Sequence, residues 1–207
     1  VTIPAQIVVD SHDPALQDAT KPIGPFFSEE EARTLAREKG WVMGDDAGRG
    51  YRRYVPSPYP IDVIEKDAIR HLLEQDYVVI TGGGGGIPVY FTEEGTIEGV
   101  DCVIDKDLAS MKIALAVGAM TLIIITGVPC VALQYGTAEQ QMLSRMTLAE
   151  AKYHFQKGQF PAGSMGPKIM AAIEFIQANP KNRVIITDED HLLDAMEGKA
   201  GTTIVSY

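Results

Sequence analysis

Residues 78–89 read VVITGGGGGIPV: an apolar run, five consecutive glycines, then an immediate return to apolar residues. No other stretch restricts the chain's path so much, because ordering glycine costs more backbone entropy than ordering any other residue. A flexible linker dilutes its glycines with serine and other polar residues. Here Tyr77–Thr81 predict a buried strand and Ile87–Phe91 resume apolar character at once, so the run predicts a tight turn inside a domain. Two readings of that turn stay open. Successive N–H groups can form an anion-binding nest, or the missing side chains let the turn pack closely on a neighbouring element. A Walker A loop would end in Gly-Lys-Ser/Thr, and Ile87-Pro88-Val89 stands there instead; a dinucleotide fingerprint from Gly82 would need glycine at Ile87.

The rest of the composition limits what such a turn can serve. At 207 residues, 45% hydrophobic and 22% charged, the chain is ordinary globular material for one large domain or two smaller ones. A net charge of −10 argues against nucleic acid or an anionic membrane surface as partner. Any phosphate must then be held by local devices. The longest apolar stretch, LIIITGVPCVAL at 122–133, is broken by Gly127 and Pro129 and falls short of the roughly 20 residues of a membrane helix. Cys102 and Cys130 are too few for a zinc ribbon or a disulfide scaffold and read as small buried hydrophobes. His12, His71, His154 and His191 form no pair at helical spacing. The expectation is a reducing, cytoplasmic setting and no metal cage.

Along the chain, IVVD at 7–10 predicts a strand, and Ser28 with Glu31 forms a capping box for a helix that Gly40 ends. WVMGDDAGRGYRRYVP has the pattern of a hairpin, with Tyr51 and Tyr54 on its returning arm. Spacing predicts a helix over 60–75 with Ile61, Ile64, Ala68 and Leu72 on one face, and another from Asp105 with Leu108, Met111 and Leu115 inward. Strands are expected at 121–126 and 131–135, and helices near 138–144 and 147–157, the latter with a second box, Thr147 and Glu150. A helix with Ile169, Ile173 and Ile176 inward follows, then strands RVIIT and TTIVSY around a short helix at 189–197. Alternating strands and helices predict an α/β sandwich with a largely parallel sheet. Ligands in such folds sit beyond the carboxyl ends of the strands.

Two lysines stand where a plain helix disfavours them. A helix N-terminus carries partial positive charge and favours Asp and Glu, yet Lys106 in DKDLAS and Lys168 in SMGPKIM both fall in a predicted first turn. Pro167 suits the opening position of the second helix. An anion bound at the same helix ends would favour both lysines. Asp105 and Asp107 read either as caps or as groups that hold the lysines or meet Mg²⁺ through water. Lys21 lies on a Pro-fixed loop, and reads alone as a surface charge. Tyr135 follows a strand end, where its ring reads as core or as a platform for adenine.

Together, TKPIGPFF, GGGGGIPV, VIDKDLAS, LQYG, GQFPAGSMGPKIMAAIEFI and GKAGTTI occur in the order seen in carbamate kinases, and the chain resembles that branch of the amino-acid-kinase superfamily over nearly all its length. The resemblance implies a three-layer αβα sandwich with a small protruding subdomain. It implies reversible phosphoryl transfer between ATP and carbamate with Mg²⁺, in the direction of ATP during arginine catabolism. It makes Lys106 and Lys168 the cations on the transferring group, Asp107 their orienting carboxylate, and Lys21 a reach from the subdomain at about 16–58. Gly82, Gly83, Gly84, Gly85 and Gly86 would hold carbamate or its phosphate. Tyr135, Gly136, Met165 and Gly166 would line the nucleotide site. Residues 1–117 would form the acceptor lobe, 118–207 the nucleotide lobe, and the molecule a homodimer. Gly127 stands where the family commonly has Asp. The family's opening strand and glycine turn, part of a segment of roughly a hundred residues, the size of a small domain, are expected upstream of Val1. A homologue that binds nucleotide without turnover, and a related amino-acid or acid kinase, are the alternatives; the arm with Lys21 argues against the second.

Overall fold

A computed structural model of the chain describes residues 1–46 and 48–207. The first half runs β1 (Thr2–Ile3), β2 (Gln6–Val9), β3 (Ala19–Phe27), α1 (Glu29–Lys39), β4 (Val42–Asp45), β5 (Tyr51–Pro56), β6 (Pro60–Val63), α2 (Lys66–Glu74), β7 (Ile80–Thr81), β8 (Ile87–Phe91), β9 (Ile97–Gly99) and α3 (Lys106–Ala116). The second runs β10 (Thr121–Ile125), β11 (Val131–Leu133), β12 (Gln141–Leu143), β13 (Arg145–Thr147), α4 (Leu148–Gln156), α5 (Met165–Ala178), β14 (Arg183–Thr187), α6 (Leu192–Met196) and β15 (Thr202–Val205).

This is the α/β architecture expected from the alternation of elements. One sheet has the order β6-β2-β8-β9, with a parallel β2–β8 ladder inside and antiparallel strands at its edges. The other has the order β10-β14-β15-β13, parallel at both flanks and antiparallel between β14 and β15. β3, β5 and β4 form a separate antiparallel sheet, an arm that carries Lys21. The predicted hairpin is its β4–β5 pair; Ala47 in its turn lies outside the described residues.

Each four-stranded sheet has its own core, and α3 is common to both. Leu108, Met111 and Ala114 join the larger cluster with Ile169, Phe175, Val184 and Ile204. Ala109 joins the smaller one with Ile7, Val63, Ile69 and Ile104. A helix apolar on two sides is wedged rather than laid on a surface, so the position of its N-terminus follows from both cores. Both predicted capping boxes form, and Gly40 ends α1 with φ 64°.

Three local expectations are corrected. Residues 60–63 are a strand rather than the start of a helix, because Val63 pairs with Ile7 of β2 and Glu65 accepts the Gln6 N–H at 2.8 Å. α2 starts only at Lys66 and buries Ile69, while Ala68 faces outward. The strand before the glycines is reduced to Ile80–Thr81, and Tyr77, Val78 and Ile80 are exposed. The helix expected near 138–144 is replaced by β12, which β11 recruits through Val131 opposite Leu143.

Candidate active site

The first turn of α3 brings together the charges that the sequence set apart. Asp105 is the N-cap, accepting the N–H groups of Asp107 at 2.8 Å and Leu108 at 3.4 Å. Its other oxygen accepts from Lys21 Nζ at 2.8 Å, across 84 residues of chain. Burial alone would raise the Asp105 pKa, but the Lys21 ammonium and the two backbone amides outweigh it and hold the carboxyl below its ordinary range. Both sequence readings of Asp105 therefore hold: it caps the helix and binds a lysine.

Asp107, 5% exposed, bridges the other two lysines. Lys106 Nζ donates to one oxygen at 2.8 Å and Lys168 Nζ to the other at 2.7 Å. Lys168 is itself buried, in the first turn of α5, whose N-cap Ser164 makes no side-chain capping bond and whose first turn contains no acidic residue. The Gly166 N–H donates to the Pro161 carbonyl at 2.8 Å and Pro167 has none, so that helix end offers an anion chiefly its partial positive charge.

The glycine turn lies beside this cluster. A Cβ on Gly85 would stand 2.2 Å from the carbonyl oxygen of Ile104, the residue before Asp105, and one on Gly86 would meet Ile7 at 2.4 Å. On Gly82 it would reach Ile113 of α3 at 2.8 Å. Close packing thus accounts for three of the glycines. Gly83 and Gly84 face open space, though the N–H groups of Gly83 and Gly85 already donate within the turn, to Thr81 and Gly82.

Two cavities meet at the first turn of α5, with Phe160 a wall of both. One, about 210 Å³, is lined by Thr126, Val128, Cys130, Tyr135, Phe160 and Met165 among others, and is mostly apolar. Burial pushes the Cys130 thiol pKa up, so the group stays neutral. Gly136 stands just outside, with φ 79° and its N–H on Gln140 at 2.8 Å. The other, about 500 Å³, separates the arm from α5 and holds Lys21, Asp46, Arg49, Arg52, Asp105, Gly166 and Pro167. Gly166 packs tightly there, since a Cβ would lie 3.0 Å from the Pro161 carbonyl. The two arginines and Asp46 went unread in the sequence. The only signal was the density of charge in DDAGRGYRR.

The apolar pocket opening on an uncapped helix N-terminus fits a nucleotide, base in the pocket and phosphates at the helix end. A protein-built Mg²⁺ cage does not fit. Among the described residues no group of three or more His, Cys, Asp or Glu could hold a metal ion, and Asp105 and Asp107 are committed to lysines. No helix of the described residues is long and apolar enough to cross a membrane.

An α/β fold that gathers three lysines at two helix N-termini, one of them without a side-chain cap, belongs to the class of folds that offer a site for phosphate-bearing anions. Its family follows from comparison: residues 24–188 match the amino acid kinase family. The chain belongs to that family. It is 50% identical over 204 residues to a carbamate kinase of Pyrococcus horikoshii, covering 99% of this chain and 64% of the relative. A carbamate kinase of Staphylococcus haemolyticus is 46% identical, with coverages of 99% and 66%. Among solved structures, Giardia lamblia carbamate kinase bound to citric acid superposes with a TM-score of 0.92 at 40% identity, covering 99% of this chain and 64% of that one. The same enzyme bound to AMP-PNP gives 0.84 at 41%, with coverages of 99% and 65%. The chain thus spans about two thirds of the length of these relatives.

Proposed function

We propose that the chain carries the phosphoryl-transfer site of a carbamate kinase, working between carbamoyl phosphate with ADP and carbamate with ATP. The observation that carries this reading is the pair of lysines bridged by buried Asp107 at the N-termini of α3 and α5, with Lys21 on the adjoining Asp105. The names of the relatives, and a nucleotide analogue bound to one of them, support the substrates. Arginine catabolism, a cytoplasmic setting, a homodimer, and the division into an acceptor lobe (1–117) and a nucleotide lobe (118–207) belong to the same proposal.

In the ATP-forming direction a β-phosphate oxygen of ADP attacks phosphorus while the bond to the carbamate oxygen breaks. Two negative charges from carbamoyl phosphate and three from ADP become one on carbamate and four on ATP, so no proton need move and no histidine base is required. The transition state is loose and anionic, and catalysis is chiefly positioning and charge stabilisation. Lys106 and Lys168 supply that charge, with Asp107 fixing their separation, and Lys21 reaches the acceptor side. Gly83 and Gly84 offer the approach to the backbone that an acyl phosphate needs. Tyr135 and Met165 flank the base, Gly136 shapes the chain beyond Tyr135, and Gly166 lets the start of α5 pack on the Pro161 carbonyl, which sets that helix end beside the pocket. Mg²⁺ would arrive with the nucleotide.

The test is ATP formation from carbamoyl phosphate and ADP in a coupled assay. Lys106→Ala is expected to lower kcat by about 10²–10³, the scale for losing one group that stabilises developing charge, while the folded state survives. A parent chain that turns over an amino-acid carboxylate instead, or a Lys106→Ala variant within three-fold of the parent (about 0.65 kcal/mol), would refute the reading.

A further inference from the structure

The tip of the arm holds a second cationic device that the lysine cluster does not use. Arg52 Nη1 and Arg49 Nη2 converge on one oxygen of Asp46, at 3.2 and 2.9 Å. Arg52 Nε also donates to the Gly24 carbonyl at 3.0 Å, and Arg49 Nε to the Asp46 carbonyl at 3.3 Å. Both guanidinium carbons lie 5.2 Å from the centre of the Phe26 ring, so one aromatic ring helps to hold both groups. Arg52 is the enclosed member, its side chain 23% exposed, and Arg49 the outer one at 63%.

All three charged groups line the 500 Å³ cleft opposite the uncapped end of α5. The cleft's ionisable lining is Lys21, Arg49 and Arg52 against Asp46 and Asp105, three positive and two negative charges, in a chain of net charge −10. Each guanidinium has five N–H donors, and the bonds above leave several free on each. Forked, planar donors suit a phosphate or carboxyl-type group better than a lysine does.

We propose that Arg52 and Arg49 are substrate-binding residues that grip the acyl-phosphate substrate from the arm side of the cleft, and that Asp46 is a displaceable stand-in for that anion. The proposal rests on the functional reading above and adds to it a recognition element on the arm, distinct from the lysines. Asp46 is well suited to the part. Its burial opposes ionisation, but the two arginines outweigh it and keep the carboxyl charged, with a pKa below the ordinary value. The competing account is a stitch, in which the ion pairs only tie the β4–β5 turn to β3.

The two accounts differ in sign for one variant. Calorimetric titration of the whole chain with fresh carbamoyl phosphate, and separately with ADP, would be run on the parent, Arg49→Ala, Arg52→Lys and Asp46→Asn, with circular dichroism to check folding. Arg49→Ala should weaken carbamoyl phosphate binding about ten-fold, the scale of a lost charged hydrogen bond. Arg52→Lys, which keeps charge but loses the fork, should weaken it by several-fold. Asp46→Asn, which removes the competing anion, should tighten it by several-fold, with ADP affinity unchanged in all three. Weaker binding in Asp46→Asn overturns the proposal in favour of the stitch. A parent that binds carbamoyl phosphate with unaltered affinity in both arginine variants overturns this inference alone. A parent that binds ADP but not carbamoyl phosphate overturns the functional reading, and this inference with it.

Discussion

Removing the Asp107 carboxylate would leave the Lys168 ammonium, in a residue only 8% exposed, without a counter-charge. Breaking a buried pair in this way costs about 3–5 kcal/mol, because the remaining charge is left desolvated. For a chain of this size each kcal/mol moves Tm by about 2–4 °C, so Asp107→Ala should melt about 6–20 °C below the parent. Lys168→Met should cost less, since Lys106 still holds one oxygen of Asp107 at 2.8 Å. In the double variant, Asp107→Ala with Lys168→Met, neither charge remains, and an apolar replacement of a buried pair is often neutral. The loss should then fall short of the summed single losses by about 2 kcal/mol. Lys106 shares the same carboxylate, but its side chain is 52% exposed, and an exposed pair contributes only about 0–1 kcal/mol. Lys106→Ala should therefore leave stability nearly unchanged. Activity cannot make this separation, since transfer is expected to fail in every one of these variants. Urea titrations with a constant slope would measure it. Single losses below about 1 kcal/mol that simply add would refute the reasoning.

Gly85→Ala places a Cβ 2.2 Å from the Ile104 oxygen at φ 134°, and backbone strain alone should cost about 1–3 kcal/mol. Gly84→Ala meets nothing within 4 Å and should stay within about 1 kcal/mol of the parent in the same melts; equal losses at the two sites would refute the packing argument. The Asp105 carboxyl has a lower pKa folded than unfolded, so its stabilising effect is complete above the ordinary aspartate value of about 3.9 and is lost as pH falls through the depressed folded value. Asp105→Asn should therefore flatten the fall of Tm in the acid range in scanning calorimetry. An unchanged acid slope would mean that Lys21 contributes nothing to folding through that carboxylate.

What could be read from the sequence was local. Ser28 with Glu31, and Thr147 with Glu150, satisfy amides three residues away, and such contacts do not depend on the rest of the fold. Lys106 and Lys168 were legible for a related reason, since a lysine in a first turn conflicts with the helix dipole whatever surrounds it. Residues 60–63 and 141–143 misled because their spacing admits a helix, while partners more than fifty residues away in one case, and across a turn in the other, drew them into sheets. Tyr77 and Val78 misled because apolar character alone does not say which side an element will present. The arginines lay beyond reach for the same reason as the contact between Gly85 and Ile104. Each acquires its meaning only when the arm closes over α5, or when the turn meets the carbonyl before α3.

The sharing of carboxylates bears on how so acidic a chain would take anionic substrates. Five cations meet at three carboxylates: Lys21 on Asp105, Lys106 and Lys168 on Asp107, Arg49 and Arg52 on Asp46. Without those carboxylates the cations would repel one another across a few ångströms of partly dry protein, where charge interactions are several times stronger than in water. With them, the local balance is five positive charges against three, a modest excess set into a surface whose net charge repels anions. Binding of a phosphate is then an exchange of partners more than an addition of charge. The carboxylates differ in how they can give way. Asp107 is buried between lysines on two helices and is fixed by both cores, whereas Asp46 sits at the tip of a hairpin that meets α5 across an open cleft. Under the proposed function, such a site would hold Lys106 and Lys168 in place and leave the contact that can yield on the cleft side, at Asp46.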